Sequence, residues 1–202
     1  MSGLVLATLL CACGSDPGYS SLPAGSSVLA FGDSVTYGTG AGAGQDYPTL
    51  LAQATGWNIV NAGIPGDTAR EAKTRLPALL QQHRPALVIV ELGGNDFLRK
   101  RPAAQVKADL HNIITQSQDS GAITAVIAVP RLSLLRAGIG ALSDADIYAE
   151  LATETGVLLL ADSFSAVLSD EQLRADPVHP NARGYQVLSE GVLEGLREAG
   201  LL

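Results

Sequence analysis

Cysteine is nearly absent from this sequence of 202 residues, and the few cysteines stand where they exclude two kinds of chemistry. The only two, Cys11 and Cys13, lie close to the N-terminus. The rest of the chain therefore has no disulfide to hold a fold together and no thiol to act as a nucleophile. Basic residues are also scarce, with 13 Lys and Arg against 20 Asp and Glu and a formal net charge of −7. Because a nucleic-acid-binding protein normally presents a basic face, we expect no nucleic-acid partner.

Histidine is scarce as well, which narrows the search for a catalytic base. Of the three histidines, His83 ends a predicted helix and His111 lies on another, where an exposed ring has no special role. His179 instead stands in the stretch DPVHPN, with two prolines that stiffen the loop and a carboxylate, Asp176, three residues upstream. Such a turn aims Asp176 at Nδ1 of the ring and leaves Nε2 free to take a proton. The alternative is a polar loop in which Asn181 caps the last helix.

The N-terminal residues predict an exported protein with a lipid anchor. Residues 1–13 contain the apolar run Leu4–Leu10, which is too short to cross a bilayer and is followed by Cys-Ala-Cys. This arrangement resembles a bacterial lipoprotein processing site with Cys13 as the modified residue, although no Lys or Arg precedes the run. Residues 14–26 are then a flexible Gly/Ser/Pro tether, and 27–202 form the domain. We therefore expect a periplasmic or membrane-anchored bacterial lipoprotein; the alternative is an irregular apolar N-terminus.

Five short apolar runs alternate with longer amphipathic segments beyond the tether. Because the runs are continuous rather than alternating in polarity, we expect strands buried on both faces, as in a parallel sheet. The predicted strands are 27–31, 57–61, 87–91, 123–129 and 157–161. This order predicts an α/β fold, a three-layer α/β/α sandwich around a doubly wound sheet, in one domain.

The segments between the strands carry helical periodicity and recognisable end signals. Apolar residues recur every three or four positions over 69–79, 106–117 and 185–196. Thr68 and Glu71 have the spacing of a capping box, and Pro77 predicts a kink or break in the helix that follows. Glycines directly after helical segments predict left-handed caps; they are Gly56, Gly121, Gly156 and Gly200.

Three polar or flexible residues follow predicted strands at the edge where ligands bind in doubly wound sheets. They are Ser34 in FGDSVTYG, Gly63 in NAGIPGDT and Asn95 in GGND. Each has an ordinary structural explanation: a helix-cap serine, a glycine with positive φ and a hairpin turn. The functional interpretation is a nucleophilic serine, with the Gly63 N–H and the Asn95 amide as donors to an oxyanion. Asp96 is expected to brace the loop.

These stretches together resemble the SGNH hydrolases, also called the GDSL family. The resemblance spans residues 27–199 and is closest to bacterial periplasmic thioesterase/lysophospholipase and arylesterase enzymes, through RLPALLQQHRP at 75–85 and VELGGND at 90–96. One departure is Val35, where the family name has Leu. The resemblance implies a flavodoxin-like, five-stranded parallel sheet, with neither metal nor organic cofactor.

The resemblance also implies a role for each motif residue. Ser34 is the nucleophile, His179 the general base and then the general acid, and Asp176 the residue that orients His179. The oxyanion hole comprises the N–H of Ser34, the N–H of Gly63 and the side chain of Asn95. The implied reaction is hydrolysis of a carboxylic ester or thioester through an acyl-serine intermediate.

Substrate preference is open at this point. Candidate acyl-binding residues are Phe97, Leu98, Leu134 and Leu135, which are apolar and follow predicted strands. The basic run at 99–101 is either a solvated loop or a positive rim beside the site. We expect a monomer acting on aryl, acyl or lysophospholipid esters, with two alternatives: a carbohydrate acetylesterase, or a lipoprotein that binds acyl chains without catalysis.

Overall fold

The computed structural model describes residues 18–131 and 142–202. Its centre is a sheet of five parallel strands, namely β1 (Ser27–Gly32), β2 (Asn58–Gly63), β3 (Leu87–Glu91), β4 (Ile123–Ile127) and β5 (Leu158–Leu160). Their spatial order is β2-β1-β3-β4-β5. The chain therefore reverses direction across the sheet between β1 and β3, which is where doubly wound folds bind ligands. The predicted flavodoxin-like sheet is confirmed.

Burial separates the central strands from the edge strands. Every residue of β3 is buried, and β1 and β4 each have one partly exposed residue, whereas no residue of β2 is fully buried. The bounds differ from the predicted ones mainly at the edges. Strand β2 runs on to Gly63 because it stays paired with β1 as far as Gly32. Strand β5 keeps only three residues, which pair with Ala125–Ile127 of β4.

Helices cover both faces of the sheet. Among the described residues they are α1 (Ser34–Tyr37), α2 (Tyr47–Thr55), α3 (Ala69–His83), α4 (Gly94–Leu98), α5 (Ala103–Asp119), α6 (Ile147–Thr155), α7 (Ser163–Ser169) and α8 (Ala182–Glu198). Helices α3, α5 and α6 pack together in one layer, and α2, α7 and α8 pack in the other. A short 3₁₀ turn, Glu171–Leu173, precedes α8.

The predicted helix ends are largely confirmed. Thr68 accepts a hydrogen bond from the N–H of Glu71, whose carboxylate accepts one from the N–H of Thr68, so the capping box is complete. The four cap glycines all have positive φ. Helix α3, however, continues through Pro77 to His83, and the predicted break does not occur. Leu76 and Leu80 on either side of the proline are buried in the core and hold the helix in place.

Part of the predicted tether lies against the domain. Tyr19 and Leu22 pack on the core, and the indole N–H of Trp57 donates to the Leu22 carbonyl at 3.2 Å. Backbone hydrogen bonds also join Leu22 to Leu201, so burial and pairing fix this segment to the domain. Residues 1–17, including Cys13, lie outside the described residues. Within 18–131 and 142–202, no helix combines the length and the apolar character that crossing a bilayer requires.

Candidate active site

Three side chains from two distant segments of the chain form a continuous hydrogen-bonded line. His179 Nε2 lies 2.9 Å from Ser34 Oγ, although the two residues are 145 positions apart in sequence. On the other side of the ring, Nδ1 lies 2.7 Å from Asp176 Oδ2. A carboxylate at Nδ1 favours the tautomer that carries its proton there, which leaves Nε2 to accept the serine proton.

The loop that carries His179 is held mainly by its own backbone. Asp176 Oδ1 accepts hydrogen bonds from the N–H groups of Val178 at 2.9 Å and His179 at 2.8 Å. An antiparallel bridge between Arg174 and Pro180 closes the base of the loop. Partial burial by itself would raise the pKa of Asp176, but the hydrogen bonds from His179 and the two N–H groups outweigh it and lower that pKa. Asp176 is therefore ionised at neutral pH. Asn181 does cap α8, through the Gly184 N–H.

Ser34 stands at the sharp change of direction from β1 into α1. The residue before it, Asp33, caps that helix by accepting the N–H of Val35 at 3.1 Å. Capping is therefore done by Asp33, and the Ser34 hydroxyl is free to face His179. Within the described part of the chain, the backbone N–H of Ser34 donates to no protein group.

The glycine predicted to serve the site is not at the site. Gly63 ends β2, its N–H donates to Asn61 Oδ1 at 3.0 Å, and it does not line the cavity that opens beside Ser34 and His179. It is glycine for another reason, because an added Cβ would lie 2.2 Å from the backbone nitrogen of Tyr37. Gly66, three residues later, does line the cavity, adopts φ +83°, and has an N–H with no acceptor among the described residues. Gly66 therefore replaces Gly63 as the candidate backbone donor.

Asn95 lies in the first turn of α4, so the hairpin alternative for GGND is wrong. Its Nδ2 donates to Asp33 Oδ2 at 2.9 Å and to the Asp67 carbonyl at 3.1 Å. Asp96 braces the same loop as expected: it is fully buried, accepts the Ala69 N–H at 2.9 Å and pairs with Arg101.

Two elements that the sequence interpretation missed also shape this edge. Arg75 joins the ends of β1 and β2 by donating to the carbonyls of Gly32 and Ala62 and to the Asp67 carboxylate. Glu91 at the end of β3 is buried next to Asp33. A charged residue that ends an otherwise apolar strand was a signal that could have drawn attention to Glu91.

A cavity of about 220 Å³ opens beside Ser34 and His179. Its walls are mainly apolar, and besides the polar residues they comprise Val35, Pro65, Gly66, Gly94, Leu98, Val129, Phe164, Leu168 and Val178. Of the predicted acyl-binding residues, Leu98 lines the cavity. Phe97 does not, because it turns towards the core, and Leu134 and Leu135 lie outside the described residues.

The basic run after GGND divides into residues with different surroundings. Arg101 is taken up by the carboxylates of Asp96 and Asp109. Arg99 is half-exposed and donates to the Gly66 carbonyl at 2.9 Å, so it supports the loop that carries the candidate donor. Over residues 18–131 and 142–202, no group of three or more His, Cys, Asp and Glu side chains is arranged to hold a metal ion.

Comparison with known proteins agrees with this geometry. A model of the GDSL-like lipase/acylhydrolase family matches residues 30–187. Over 184 residues the chain is 35% identical to the thioesterase 1/protease 1/lysophospholipase L1 of Escherichia coli (strain K12), covering 86% of this chain and 85% of that protein. It is 33% identical over 179 residues to an arylesterase of Vibrio mimicus, with 84% and 87% covered. The crystal structure of TesA aligns with a TM-score of 0.76 at 28% identity, over 86% of this chain and 99% of that one.

The matching family model covers most of the chain. The chain also matches the thioesterase/lysophospholipase and the arylesterase over 85% and 87% of their lengths. The described fold and the serine, histidine and carboxylate at its catalytic edge agree with both. The chain belongs to the GDSL-like lipase/acylhydrolase family, the SGNH hydrolases, and is a carboxylic ester hydrolase.

Proposed function

We propose that this esterase works through Ser34 as nucleophile, His179 as general base and acid, and Asp176 as the residue that orients the imidazole. The observation that carries the proposal is the hydrogen-bonded line from Asp176 Oδ2 through His179 to Ser34 Oγ, with bonds of 2.7 and 2.9 Å, beside an apolar cavity. A serine hydroxyl becomes an effective nucleophile only when a neighbouring base removes its proton.

The reaction proceeds in two halves. Ser34 Oγ attacks the ester carbonyl while its proton moves to His179 Nε2, and the carbonyl oxygen becomes an oxyanion. Collapse of this intermediate breaks the bond to the leaving group, which takes the proton from His179. Water then gives a proton to Nε2 and attacks the acyl-Ser34 carbonyl. The second collapse releases the carboxylic acid and returns the proton to Ser34 Oγ.

The oxyanion is held by three donors: the N–H groups of Ser34 and Gly66 and the Nδ2 of Asn95. The first two N–H groups have no other acceptor among the described residues. Asn95 Nδ2 is occupied on both sides, and its bond to the Asp67 carbonyl, at 3.1 Å, is the longer. We infer that the oxyanion takes the place of the Asp67 carbonyl, while the bond to Asp33 remains.

The substrates we propose are aryl and acyl esters and thioesters, including lysophospholipids. The apolar walls from Leu98, Val129, Phe164 and Leu168 suit an acyl chain better than an acetyl group. The names of the relatives, thioesterase/lysophospholipase and arylesterase, point to the same substrates.

The test is hydrolysis of a series of p-nitrophenyl esters with increasing acyl length, with the Ser34→Ala variant as blank. We expect kcat/KM to rise from acetyl to medium-length chains. A maximum at acetyl, together with release of acetate from acetylated sugars, would favour a carbohydrate acetylesterase instead. A fluorophosphonate probe followed by peptide mass spectrometry should label Ser34. Folded protein that takes no label and cleaves no ester would contradict the mechanism and favour acyl-chain binding without catalysis.

We also propose export and lipid attachment at Cys13, on the strength of the Leu-Cys-Ala-Cys sequence. Metabolic labelling with a fatty acid should mark the full chain and the Cys11→Ser control but not Cys13→Ser. Equal labelling of both variants would contradict the assignment. Light scattering of the unlipidated protein tests the expected monomer.

A further inference from the structure

Two buried carboxyl groups lie side by side beneath the nucleophile, and neither belongs to the line of Ser34, His179 and Asp176. Asp33 is 3% exposed and Glu91 is 1% exposed. Their closeness follows from the sheet, because β1 and β3 are neighbours in which Gly32 pairs with Glu91. Asp33 comes directly after Gly32, so the two carboxyl groups lie next to each other at the carboxyl edge, within hydrogen-bonding reach.

Each carboxyl group has a different second set of partners. Glu91 Oε2 accepts a hydrogen bond from the Thr36 hydroxyl at 3.2 Å, and that hydroxyl also lies 3.1 Å from the hydroxyl of Tyr47. Asp33 accepts the N–H of Val35 through Oδ1 and the Asn95 Nδ2–H through Oδ2. Asp33 thus connects the buried acid pair to the amide that faces the reaction.

Two adjacent carboxylates cannot both be ionised in such a site, because burial and mutual repulsion oppose the second charge. Burial raises the pKa of Asp33 to about 6, and burial together with the nearby Asp33 charge raises the pKa of Glu91 well above its usual value. Two adjacent buried carboxyl groups therefore favour a state with one shared proton, and the charge of Asp33 favours its place on Glu91. The other titratable or charged groups around the pair are His179, Tyr47, Tyr148, Tyr185, Asp46 and Asp96, together with Arg75 on the carbonyl of Gly32.

We propose that Glu91 is a positioning residue for catalysis, which acts as a neutral acid that donates its proton to Asp33 and so keeps Asp33 an acceptor for Asn95. This inference rests on the oxyanion role proposed above for Asn95. An amide has an oxygen end and a nitrogen end of almost equal shape, so its orientation depends on what it meets. A carboxylate at Asp33 can only accept, and it therefore holds the nitrogen end. One N–H is fixed on Asp33, and the second is left directed towards the oxyanion.

Loss of the donor at position 91 has a defined consequence. With Glu91→Leu, the Asp33 carboxylate remains buried but loses the donor at position 91. It then takes up a proton at higher pH and presents an O–H to the amide nitrogen, which cannot accept it. With Glu91→Gln, an amide N–H still donates to Asp33, and the orientation of Asn95 is kept.

The test is a double-mutant cycle on kcat with a p-nitrophenyl ester at pH 7.5. Asn95→Ala alone should lower kcat by roughly 10²–10³. Glu91→Leu alone should lower it by about 10- to 100-fold, the range for a displaced catalytic group. In the Asn95→Ala background, Glu91→Leu should change kcat less than about twofold, because the group it acts through is gone. Glu91→Gln and the buried control Tyr47→Phe should keep near-wild-type kcat.

The outcomes separate this inference from the proposed function. If Asn95→Ala is silent, the oxyanion assignment fails, and this inference fails with it. If Asn95→Ala is costly but the effect of Glu91→Leu is undiminished in its presence, Glu91 acts elsewhere and only this inference is overturned. If Glu91→Leu does not fold, the cycle is run with Glu91→Gln over a range of pH. Glu91→Gln should then extend the active range to higher pH, since Glu91 loses its donor proton as pH rises and glutamine does not; an unshifted profile overturns the inference.

Discussion

The candidate active site has two differently built sides. The serine side comprises Ser34 and the buried Asp33 and Glu91 at the carboxyl edge of the sheet, and the histidine side comprises His179 and Asp176 on a partly exposed loop. Both sides use an aspartate, but the two are held in opposite ways. Asp33 is buried next to Glu91, and its pKa is raised to about 6. Asp176 is nearly half-exposed, and hydrogen bonds from His179 and its own loop lower its pKa.

This contrast has opposite consequences for stability. A carboxyl group with a lowered pKa in the folded state stabilises the fold above its unfolded pKa, and that contribution is lost as pH falls. A carboxyl group with a raised pKa does the reverse, so its unfavourable contribution grows as pH rises. Asp176 therefore stabilises the fold more at neutral pH than at acidic pH. Asp33 does the opposite, because its buried carboxylate destabilises the fold at neutral pH.

The largest expected loss of activity follows from removing His179, the proposed base, which contacts both Ser34 and Asp176. We expect His179→Ala to lower kcat on the order of 10⁶-fold, as in other serine hydrolases. His111→Ala is the matched control, because His111 lies on α5 away from the cavity, and it should keep full activity. Stopped assays with a chromogenic ester measure both; a modest loss in His179→Ala would contradict its role as base.

Removing the exposed aspartate should have the next largest effect. Asp176→Ala leaves His179 near Ser34 but without the acceptor at Nδ1, so we expect kcat to fall by about 10⁴. The exposed Asp119→Ala at the end of α5 is the control. Equal activity of the two variants would mean that the loop backbone alone orients the ring.

The next prediction compares the stability of alanine variants at the two glycines of NAGIPGDT, Gly63 and Gly66. Gly63→Ala should destabilise the fold by at least about 3 kcal/mol, since its Cβ meets the backbone of Tyr37 at 2.2 Å. In Gly66→Ala the added Cβ meets only Arg99 Nη2, at an ordinary contact distance of 3.9 Å, so the variant carries only the strain of positive φ, about 1–2 kcal/mol. Thermal unfolding measures the difference in stability between Gly63→Ala and Gly66→Ala. Equal stability of the two variants would mean that the backbone of Tyr37 moves aside for the Cβ added at position 63.

The smallest expected effect concerns the protonation of Glu91 in the folded protein. Relative to the parent protein, Glu91→Gln should be more stable at neutral pH than at pH 4, because burial raises the pKa of Glu91 and the folded protein must hold a proton that the unfolded chain releases. The gain should vanish near pH 4, where glutamate is neutral in both states. Glu71→Gln is the control with the opposite sign, because hydrogen bonds from Thr68 lower the pKa of Glu71. A stability difference for Glu91→Gln that is constant from pH 4 to 7 would mean that Glu91 is ionised in the fold.

Much of the fold could be predicted because its signals are local. Continuous apolar runs indicated buried parallel strands, and the Thr68/Glu71 box and the cap glycines marked helix ends that the structure confirms. Of the kink or break expected at Pro77, the break does not occur, because the buried neighbours of the proline hold α3 together and packing is not a local property.

The candidate site was predictable only in part. The spacing in DPVHPN favoured contact between Asp176 and His179, since a three-residue turn is local. The motif NAGIPGDT contains two glycines, and the sequence interpretation named only Gly63. That its N–H donates to Asn61 Oδ1, while the Gly66 N–H has no acceptor among the described residues, follows only from the folded structure. Phe97 and Leu98 are likewise adjacent and similarly apolar, and the direction of α4 alone turns one to the core and the other to the cavity.

The order of residues by itself determined the alternation of strands and helices, the family, and the set of side chains available for catalysis, because those depend on periodicity and on residue chemistry. The tertiary structure decided which of these groups meet. It placed Ser34 within 2.9 Å of a histidine 145 residues away, and it buried Asp33 against Glu91 across neighbouring strands. Distances and burial arise from packing between remote segments of the chain. They in turn shift the pKa values of the buried carboxyl groups.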